Sequence, residues 1–479
     1  MACCIFALAI LIAPAAIAQN MVSGTVVDGQ NEPVIGASVM VKGTTSGVAT
    51  GIDGDFSIAA KPSDVLKVSA VGYKTAEVKV EGSAPIRITL EESSEVLDEV
   101  VVIGYGTSTK KELTGSVASM KKEELNPGTF PNAMGMLQGK VAGLQIVNPS
   151  GADPTAKYEI LLRGTNTLAA GQGPLVIIDG VAGADIRNIN PQDIESIDVL
   201  KDGSAAAIYG TRGTNGVIIV TTRRAREGRA EVTYEGQFTV GKVTRRAVPL
   251  TASEFNYVID TYRPELSGSK YGADTDWFDE ITRTPISHKH TLSLSGGTEK
   301  FSHFTSLNYE KAEGVQRGND FEKIAGRTNI RQSLLEGWVD VDVNLFITHR
   351  KYNPSNTSAF QQAFIHNPTE PVYDPSNTTS GGYYRIEAME YYNPVAMINE
   401  RTSTTVNDNF GGNARVTLNI KPVKGLKWDA FLALSRESNE SKTYSTHYYP
   451  SIIGTDGSAE ISNYKNNDTQ FETTLNYIR

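Results

Sequence analysis

From about residue 230 onward, apolar and polar side chains alternate with period two over long runs. Val232, Tyr234, Gly236, Phe238 and Val240 fall on one face, with Thr233, Glu235, Gln237 and Thr239 on the other. The division recurs with Val339, Val341, Val343, Leu345 and Ile347 against Asp340, Asp342, Asn344 and Thr348. It returns with Val416, Leu418 and Ile420 against Arg415, Thr417 and Asn419, and with Trp428, Ala430, Leu432 and Leu434 against Lys427 and Asp429. Strands of about 9 to 11 residues, apolar on one face and ionic on the other, meet the needs of a membrane barrel with lipid outside and water inside. A soluble two-sheet protein is the competing reading of the same alternation. The connections favour the barrel, because tight ones near Gly296-Gly297 and Glu336-Gly337 alternate with long ones at about 242–285, 350–408 and 439–465.

Upstream the pattern differs. Residues 20–92 read as a small all-β module, with short strands near SGTVVD, GASVMVKG, GDFSIAA, VLKVSAVGY and IRITLEE separated by Gly, Asn, Asp and Pro turns. Their number and spacing predict a β-sandwich. Pro33 before VIGASV and the IDGDFSI turn make this module resemble the carboxypeptidase regulatory-like domain, an accessory fold without catalytic residues. Asp53 and Asp55 around Gly54 lack the further oxygen ligands of a calcium loop, so a hairpin turn is expected there. Residues 93–110 read as a charged linker followed by an extended β-branched stretch. Residues 111–225 read as mixed α/β, with a short helix in NAMGMLQGKVAGLQIV ended at Gly139 or Gly143 and strands at YEILLRG and PLVIIDG. In the run from Asn190 to Arg223, Asp202 is placed to cap the helix GSAAAIYG, and Gly210, Gly213 and Gly216 to permit a tight return. Residues 226–479 carry the alternating strands.

Aromatic placement agrees with a barrel: all three Trp and sixteen of the twenty Tyr lie beyond residue 230, as interfacial girdles require. The first eighteen residues are apolar and close on Ala16-Ile17-Ala18, a secretory cleavage pattern assigned to residues 1–19. No Lys or Arg precedes that run, which points to a true start upstream of Met1. Both cysteines, Cys3 and Cys4, fall within it, so the exported chain has no thiolate chemistry. A formal charge of -9 without basic blocks excludes the usual nucleic-acid footprint.

The stretch EVVVIGYGTSTK looks at first like a phosphate-binding turn. Gly104-Tyr105-Gly106 is followed by Thr109 where a third glycine belongs, and no G-x-x-x-x-G-K-[ST] occurs, so nucleotide binding is rejected and no cofactor is expected. His288 and His290 share a strand face but lack a third ligand, which makes them lumen or interface residues in preference to a metal site. DTDWFDE, Asp274 to Glu280, is an acidic loop cluster, and no nucleophile or metalloprotease signature stands out. The chain is not read as an enzyme.

Five runs carry a family resemblance: LDEVVVIGYGT (97–107), LQGKVAGLQI (137–146), LRGTNT (162–167), PLVIIDGV (174–181) and DIESIDVLKDGSAAAIYGTRGTNGVIIVTT (193–222). They resemble the signature runs of SusC/RagA TonB-linked outer-membrane transporters of Bacteroidetes. The implied fold is mainly β: an N-terminal carboxypeptidase regulatory-like β-sandwich, an α/β plug domain and the first part of a large antiparallel transmembrane β-barrel. By that resemblance Glu99, Val100, Val101, Val102 and Ile103 are the TonB box, gripped as an added strand by periplasmic TonB. Arg163, Gly164, Asp179, Gly180, Lys201, Asp202, Tyr209, Gly210, Arg212, Gly213, Asn215 and Gly216 are the implied plug signature positions. The implied function is TonB-dependent import of a bulky nutrient, an oligosaccharide ahead of a peptide, across the outer membrane. TonB with its inner-membrane energising complex, a SusD-like surface lipoprotein as lid and outer-membrane lipid are the implied partners, with the N-terminal module and plug on the periplasmic side. A ligand-binding receptor or adhesin without transport is the alternative. About eight strands can be counted, and the chain stops in mid-strand, so roughly two thirds of a barrel of about 22 strands is expected to lie outside this sequence.

Overall fold

The computed structural model describes residues 21–478 except 43, 45–46, 71–72, 81–83, 92–99, 104–105, 110–116, 127, 129–132, 152, 165–172, 202–206, 225–227 and 387–390. The leader expected over 1–19 and the residues Glu99 and Asp202 fall outside the described residues. The chain divides into two compact units, Met1–Val100 with Thr109–Lys111, and Val101–Ser108 with Glu112–Arg479.

In the first unit, β1 (Met21–Val27), β4 (Asp55–Ala59) and β7 (Ile86–Thr89) form one sheet in the order β4-β1-β7. A second sheet, β3-β2-β5-β6, is built from β2 (Ser38–Val41), β3 (Gly47–Ala49), β5 (Val65–Ser69) and β6 (Ala76–Lys79). Period-two burial fills the core between them: Val22, Val39, Val41, Phe56, Ile58, Leu66, Val68 and Ile88 all cluster there. Strands β3 and β6 are not legible from the sequence, since their three and four residues are only half-buried at most and give little alternation to detect. Gly54, at φ 72°, turns the chain between β3 and β4. These strands belong to different sheets, so the turn is a crossover, not the expected hairpin.

Where the chain passes from the first unit to the second, β8 (Val100–Ile103) pairs with β9 (Gly106–Thr109) in a two-stranded ribbon. A small domain follows, with β10 (Val117–Lys121), β11 (Leu144–Val147), β12 (Glu159–Leu162), β13 (Leu175–Ile178), β14 (Val181–Ala182), β15 (Ile194–Leu200) and β16 (Val217–Thr222). Five of these make a mixed sheet, β10-β15-β16-β13-β14, in which only β13 and β16 run parallel. Its helical content among the described residues is one short α-helix, α1 (Ala133–Leu137), and several 3-10 turns. Met134, Leu137, Leu162, Ile197, Val199, Ile218 and Val220 pack into one core.

Eight strands then pair in chain order as one antiparallel sheet: β17 (Gly228–Val240), β18 (Ile286–Gly297), β19 (Phe301–Glu313), β20 (Asp320–Leu334), β21 (Val339–Tyr352), β22 (Arg401–Asn419), β23 (Leu426–Ser445) and β24 (Ser458–Tyr477). The burial of its faces reverses that of a soluble protein. Leu307, Leu345, Ile347, Phe410 and Leu434 are between 51% and 62% exposed, while Asn308, Lys323, Asn329, Asn344 and Thr348 are at most 7% exposed. Such inversion suits a sheet whose outer face meets lipid and whose inner face is covered by other protein. The strands reach 20 residues, beyond the 9 to 11 expected. On β23 the apolar alternation stops at Leu434, and Arg436 to Lys442 are polar at nearly every position, so pairing continues past the lipid-matched band into water, where neither face needs an apolar side chain.

Short connections (298–300, 335–338, 420–425) lie at one end of the sheet. At the other end 241–285 and 353–400 carry helices: α2 (Ala252–Tyr262), α3 (Trp277–Ile281), α4 (Thr357–Ile365) and α5 (Pro394–Asn399). The strands overlap the connection predicted at 439–465, which shortens to 446–457. Trp277, Ile281, Ala359, Ala363, Val395 and Tyr383 form a core of their own, so Trp277 is a loop-packing residue and not part of a girdle. Within it His366 and Glu370 lie 3.7 Å apart, the Tyr391 hydroxyl donates to Glu370, and Trp277 packs edge-on to His366. Asp276 in the acidic DTDWFDE cluster caps α3 and pairs with Arg246 at 2.7 Å.

Burial pushes the Glu370 carboxyl up to about 7 against the opposing hydrogen bond from Tyr391, and lowers His366 to about 4. The two act oppositely on loop stability. Glu370 stabilises less as pH rises from its ordinary 4.5 to about 7, and His366 stabilises less as pH falls from 6.5 to about 4. Between these limits the slopes offset, and amide-exchange protection of 353–400 should change little with pH. Glu370→Gln should expose the histidine limb, so that protection falls as pH drops below 6.5, by up to about 1.4 kcal/mol per pH unit. Exchange measured across that range checks this; an unchanged profile in the variant would refute it.

Candidate functional site

The inner face of the eight-stranded sheet is polar and buried because the small mixed domain lies against it and answers its hydrogen-bonding groups. The more buried of the ion pairs between the two is Asp179–Arg327: their side chains are 5% and 11% exposed, with Arg327 Nη2 2.5 Å from Asp179 Oδ2. Asp179 sits at φ 48° in the turn after β13, and its carboxylate also accepts from the Thr222 backbone N–H at 3.1 Å and hydroxyl at 2.8 Å. Burial by itself would raise this carboxyl; the Arg327 guanidinium and the Thr222 bonds outweigh it and hold Asp179 below the usual carboxylate range.

Further contacts flank this pair. Asp185 is bound by Arg187, with Nη2 at 2.7 Å, and approached by Arg350 from β21 at 3.4 Å. Lys323 of β20, fully buried, points its ammonium at the carbonyls of Arg187 and Ile189 at 3.4 and 3.5 Å. Ser306 donates to Asp193 at 2.7 Å, Asn190 to Thr291 at 3.1 Å and Thr348 to the Asn188 carbonyl at 3.2 Å. Asp193, unlike Asp179, is in no ion pair among the described residues, and burial outweighs the Ser306 hydrogen bond and the nearby Arg327, Arg223 and Lys289 charges to raise its carboxyl. Near the long-loop end Asp153 accepts from Asn319 at 3.1 Å and from the Ser355 hydroxyl at 2.7 Å. One apolar contact interrupts the pattern: Val181 packs on Phe431 and Ala433 of β23, so this strand's inner face is not ionic throughout.

Of the plug signature positions named from sequence, Asp179 and Gly180 meet the sheet. Gly180, at φ 88°, accepts from Gln470 of β24 at 3.1 Å, and a Cβ there would lie 3.2 Å from the Phe431 ring. Others shape the small domain itself. Gly216, at φ 86°, lets β16 begin against β12: a Cβ would lie 2.2 Å from Leu162 Cδ2 and 2.9 Å from the Leu200 carbonyl. Gly213 accepts from the Gly216 N–H at 2.9 Å, and Tyr209 packs on the core around Leu200 and Ile219. Arg163 and Gly164 form an exposed positive-φ turn after β12, anchored by the Arg163 N–H on the Gly143 carbonyl at 2.8 Å. Lys201 and Asn215 are half-buried, Gly210 adopts φ 61°, and Arg212 is exposed. These positions are dispersed and do not converge on one pocket. Val100 to Ile103 form β8.

Sequence reading missed the acceptors and donors that join the two parts: Asp185, Asp193, Arg327, Lys323, Arg350 and Gln470. A signal existed in β20, where Lys323, Arg327, Asn329 and Arg331 share one parity, but a basic parity alone does not say what it faces. His288 and His290 lie on the outer face: the Tyr234 hydroxyl meets His290 Nδ1 at 2.7 Å, and the His288 ring lies tilted against Tyr309 with centroids 5.7 Å apart. This places them at the interface, not in the lumen. Among the described residues no group of acidic, His or Cys side chains is arranged to hold a metal ion, and no helix is long and apolar enough to cross a membrane.

A small domain bonded through its polar rim to the polar inner face of a sheet with an apolar outer face defines a plugged membrane barrel wall. Comparison with known proteins agrees. Residues 22–102 match the CarboxypepD_reg-like domain and residues 109–217 the TonB-dependent Receptor Plug Domain. The chain is 36% identical over 432 residues to the TonB-dependent receptor SusC of Bacteroides thetaiotaomicron, covering 83% of this chain and 42% of that protein. It is 32% identical over 477 residues to the TonB-dependent receptor P26 of Formosa agariphila, covering 96% and 47%. The structure of the RagAB peptide importer in its open-open state shares the fold, with a TM-score of 0.65 and 24% identity over 79% of this chain and 46% of that one. The chain belongs to the TonB-dependent receptors of SusC/RagA type, and it spans about half the length of the curated relatives it matches.

Removing one partner of a buried ion pair strands the other. Arg327→Met should therefore weaken attachment of the plug by about 3–5 kcal/mol, and adding Asp179→Asn should recover much of that loss. Urea-dependent proteolysis of β13–β16 reads it, and equal loss in single and double variants would overturn the pairing. The depressed Asp179 carboxyl makes this attachment stable above its ordinary value of 3.8 and weaker as pH falls through its lower folded value. Separately, Gly216→Ala should destabilise the plug by about 1–3 kcal/mol through backbone strain and the Leu162 clash, seen as a lower melting temperature.

Proposed function

We propose that this chain provides the plug and part of the barrel wall of a TonB-dependent importer in the outer membrane, a transporter and not an enzyme. The observation that carries the reading is the plug held against the inner sheet face by hydrogen bonds and ion pairs: such a domain closes a lumen and can be released by force applied at one end. We assign that point of force to residues 99–103. Strand β8 is paired only with β9 among the described residues, and a two-stranded ribbon is marginal in water. A strand from TonB can then add to β8 or replace β9, since β-augmentation draws its affinity from the backbone.

The cargo we propose is a bulky nutrient, an oligosaccharide, delivered under a SusD-like surface lipoprotein acting as lid, with the N-terminal module and plug facing the periplasm. The family resemblance supports this cargo. A peptide is the second reading, favoured by the fold shared with a protein described as a peptide importer.

Deleting residues 99–105 in the complete receptor should leave surface expression intact and abolish TonB-dependent accumulation of cargo in cells. Normal uptake by that variant would overturn the assignment.

A further inference from the structure

The two ends of the outward sheet face differ in charge. Register sets the outward residues in rows across the strands, and toward the short connections those rows hold Phe301, Gln332, Leu334, Val339, Leu418 and Trp428, with no Lys, Arg, Asp or Glu at any outward strand position. Toward the long connections the apolar alternation gives way to cations. On β19 Lys311 follows Leu307 and Tyr309, on β21 Lys351 follows Ile347 and His349, on β23 Arg436 follows Leu434, and on β24 Lys465 lies beyond Phe471. One row runs Lys311, Glu322, Lys351; further along the sheet Arg436 stands opposite Phe410 and Lys465 opposite Ser438. All four cations are exposed, and they share the parity of Leu307, Ile347, Leu434 and Phe471, which are 51% to 68% exposed.

The outward acids at this level are already engaged. Arg283 holds Asp320 at 2.8 Å and Glu313 at 3.6 Å, and Glu322 accepts from the Tyr309 hydroxyl at 3.2 Å. Asp408 pairs with His349 at 2.6 Å, and Glu440 with Lys442 at 2.6 Å. Among the described residues no ion pair or side-chain hydrogen bond engages Lys311, Lys351, Arg436 or Lys465. The polar headgroup layer begins where the apolar band ends. Long basic side chains there lay their stems on apolar surface and present the charge to that layer. Four outward cations without counter-charge on the protein call for anions outside it.

We propose that this rim binds the phosphate groups of membrane lipids, with Lys311 and Lys351 forming one contact and Arg436 and Lys465 a second. Phosphate oxygens accept paired N–H bonds from a guanidinium and meet an ammonium as a point charge. The short-turn end presents Trp338 and Trp428 in place of cations, so the contact is confined to one leaflet. The inference rests on the outward face meeting lipid and stands apart from cargo and transport; its failure would leave the importer reading untouched.

Native mass spectrometry of the full-length receptor in detergent tests it, with phosphatidate, diacylglycerol of the same acyl chains, and inorganic phosphate as probes. Phosphatidate should be retained, diacylglycerol lost, and phosphatidate binding should weaken as salt rises. The combined variant Lys311→Gln, Lys351→Gln, Arg436→Gln, Lys465→Gln should bind phosphatidate about tenfold or more weakly at unchanged melting temperature. A control variant, Lys300→Gln, Lys421→Gln, Lys424→Gln, removes charge from the short connections and should bind as the parent does. Should the combined variant fail to fold, the two pairs replaced separately give the reading, each with a partial loss. Equal retention of diacylglycerol, inorganic phosphate bound as tightly as phosphatidate, equal loss in the control, or unchanged affinity in the folded variant would overturn the proposal.

Discussion

The structure depends on one constraint: a sheet with lipid on its outer side must find partners for its polar groups on the inner side. Backbone groups are met by the antiparallel ladder. Side chains such as Lys323, Arg327, Asn344 and Thr348 are met by one another and by the plug. The 2.5 Å contact between Asp179 and Arg327 is the charged case, with only 5% and 11% of the two side chains left to solvent. A buried charged pair is weak evidence of net stability but strong evidence of specificity, because each partner is costly without the other. The plug is therefore located by a few charge-assisted bonds around one apolar contact at Val181, Phe431 and Ala433.

That manner of attachment suits a part that has to leave in the import we propose. An interface of interdigitated hydrophobic side chains resists separation through the area it buries. One made of hydrogen bonds can exchange them for water as it opens, at much smaller net cost per bond. The plug's internal core, by contrast, is apolar and continuous from Met134 to Val220. Force entering at the β8 end would meet a firm domain on a hydratable seat.

The long connections illustrate a different use of burial. Trp277, His366, Glu370, Tyr383 and Tyr391 pack into a core formed entirely by loop segments. Tyr383 and Tyr391 spend their hydroxyls on Glu400 and Glu370, and Tyr384 packs edge-on to Tyr271. Aromatic residues in such a loop are thereby explained by its folding.

Local periodicity by itself determined the architecture. Alternation in Val232 to Val240, Val339 to Ile347 and Trp428 to Leu434 fixed which side chains share a face, because the pleat has period two regardless of what surrounds it. Glycine positions such as Gly139 and Gly216 were legible for a similarly local reason, a backbone that must turn with positive φ. What lies opposite each face was not a local property. Arg327 and Asp179 are separated by 148 positions, and Asp153 and Ser355 by 202. Neither member of such a pair carries a mark of its partner, so only the tertiary structure decided which charges are paired and which strand face is apolar at Phe431.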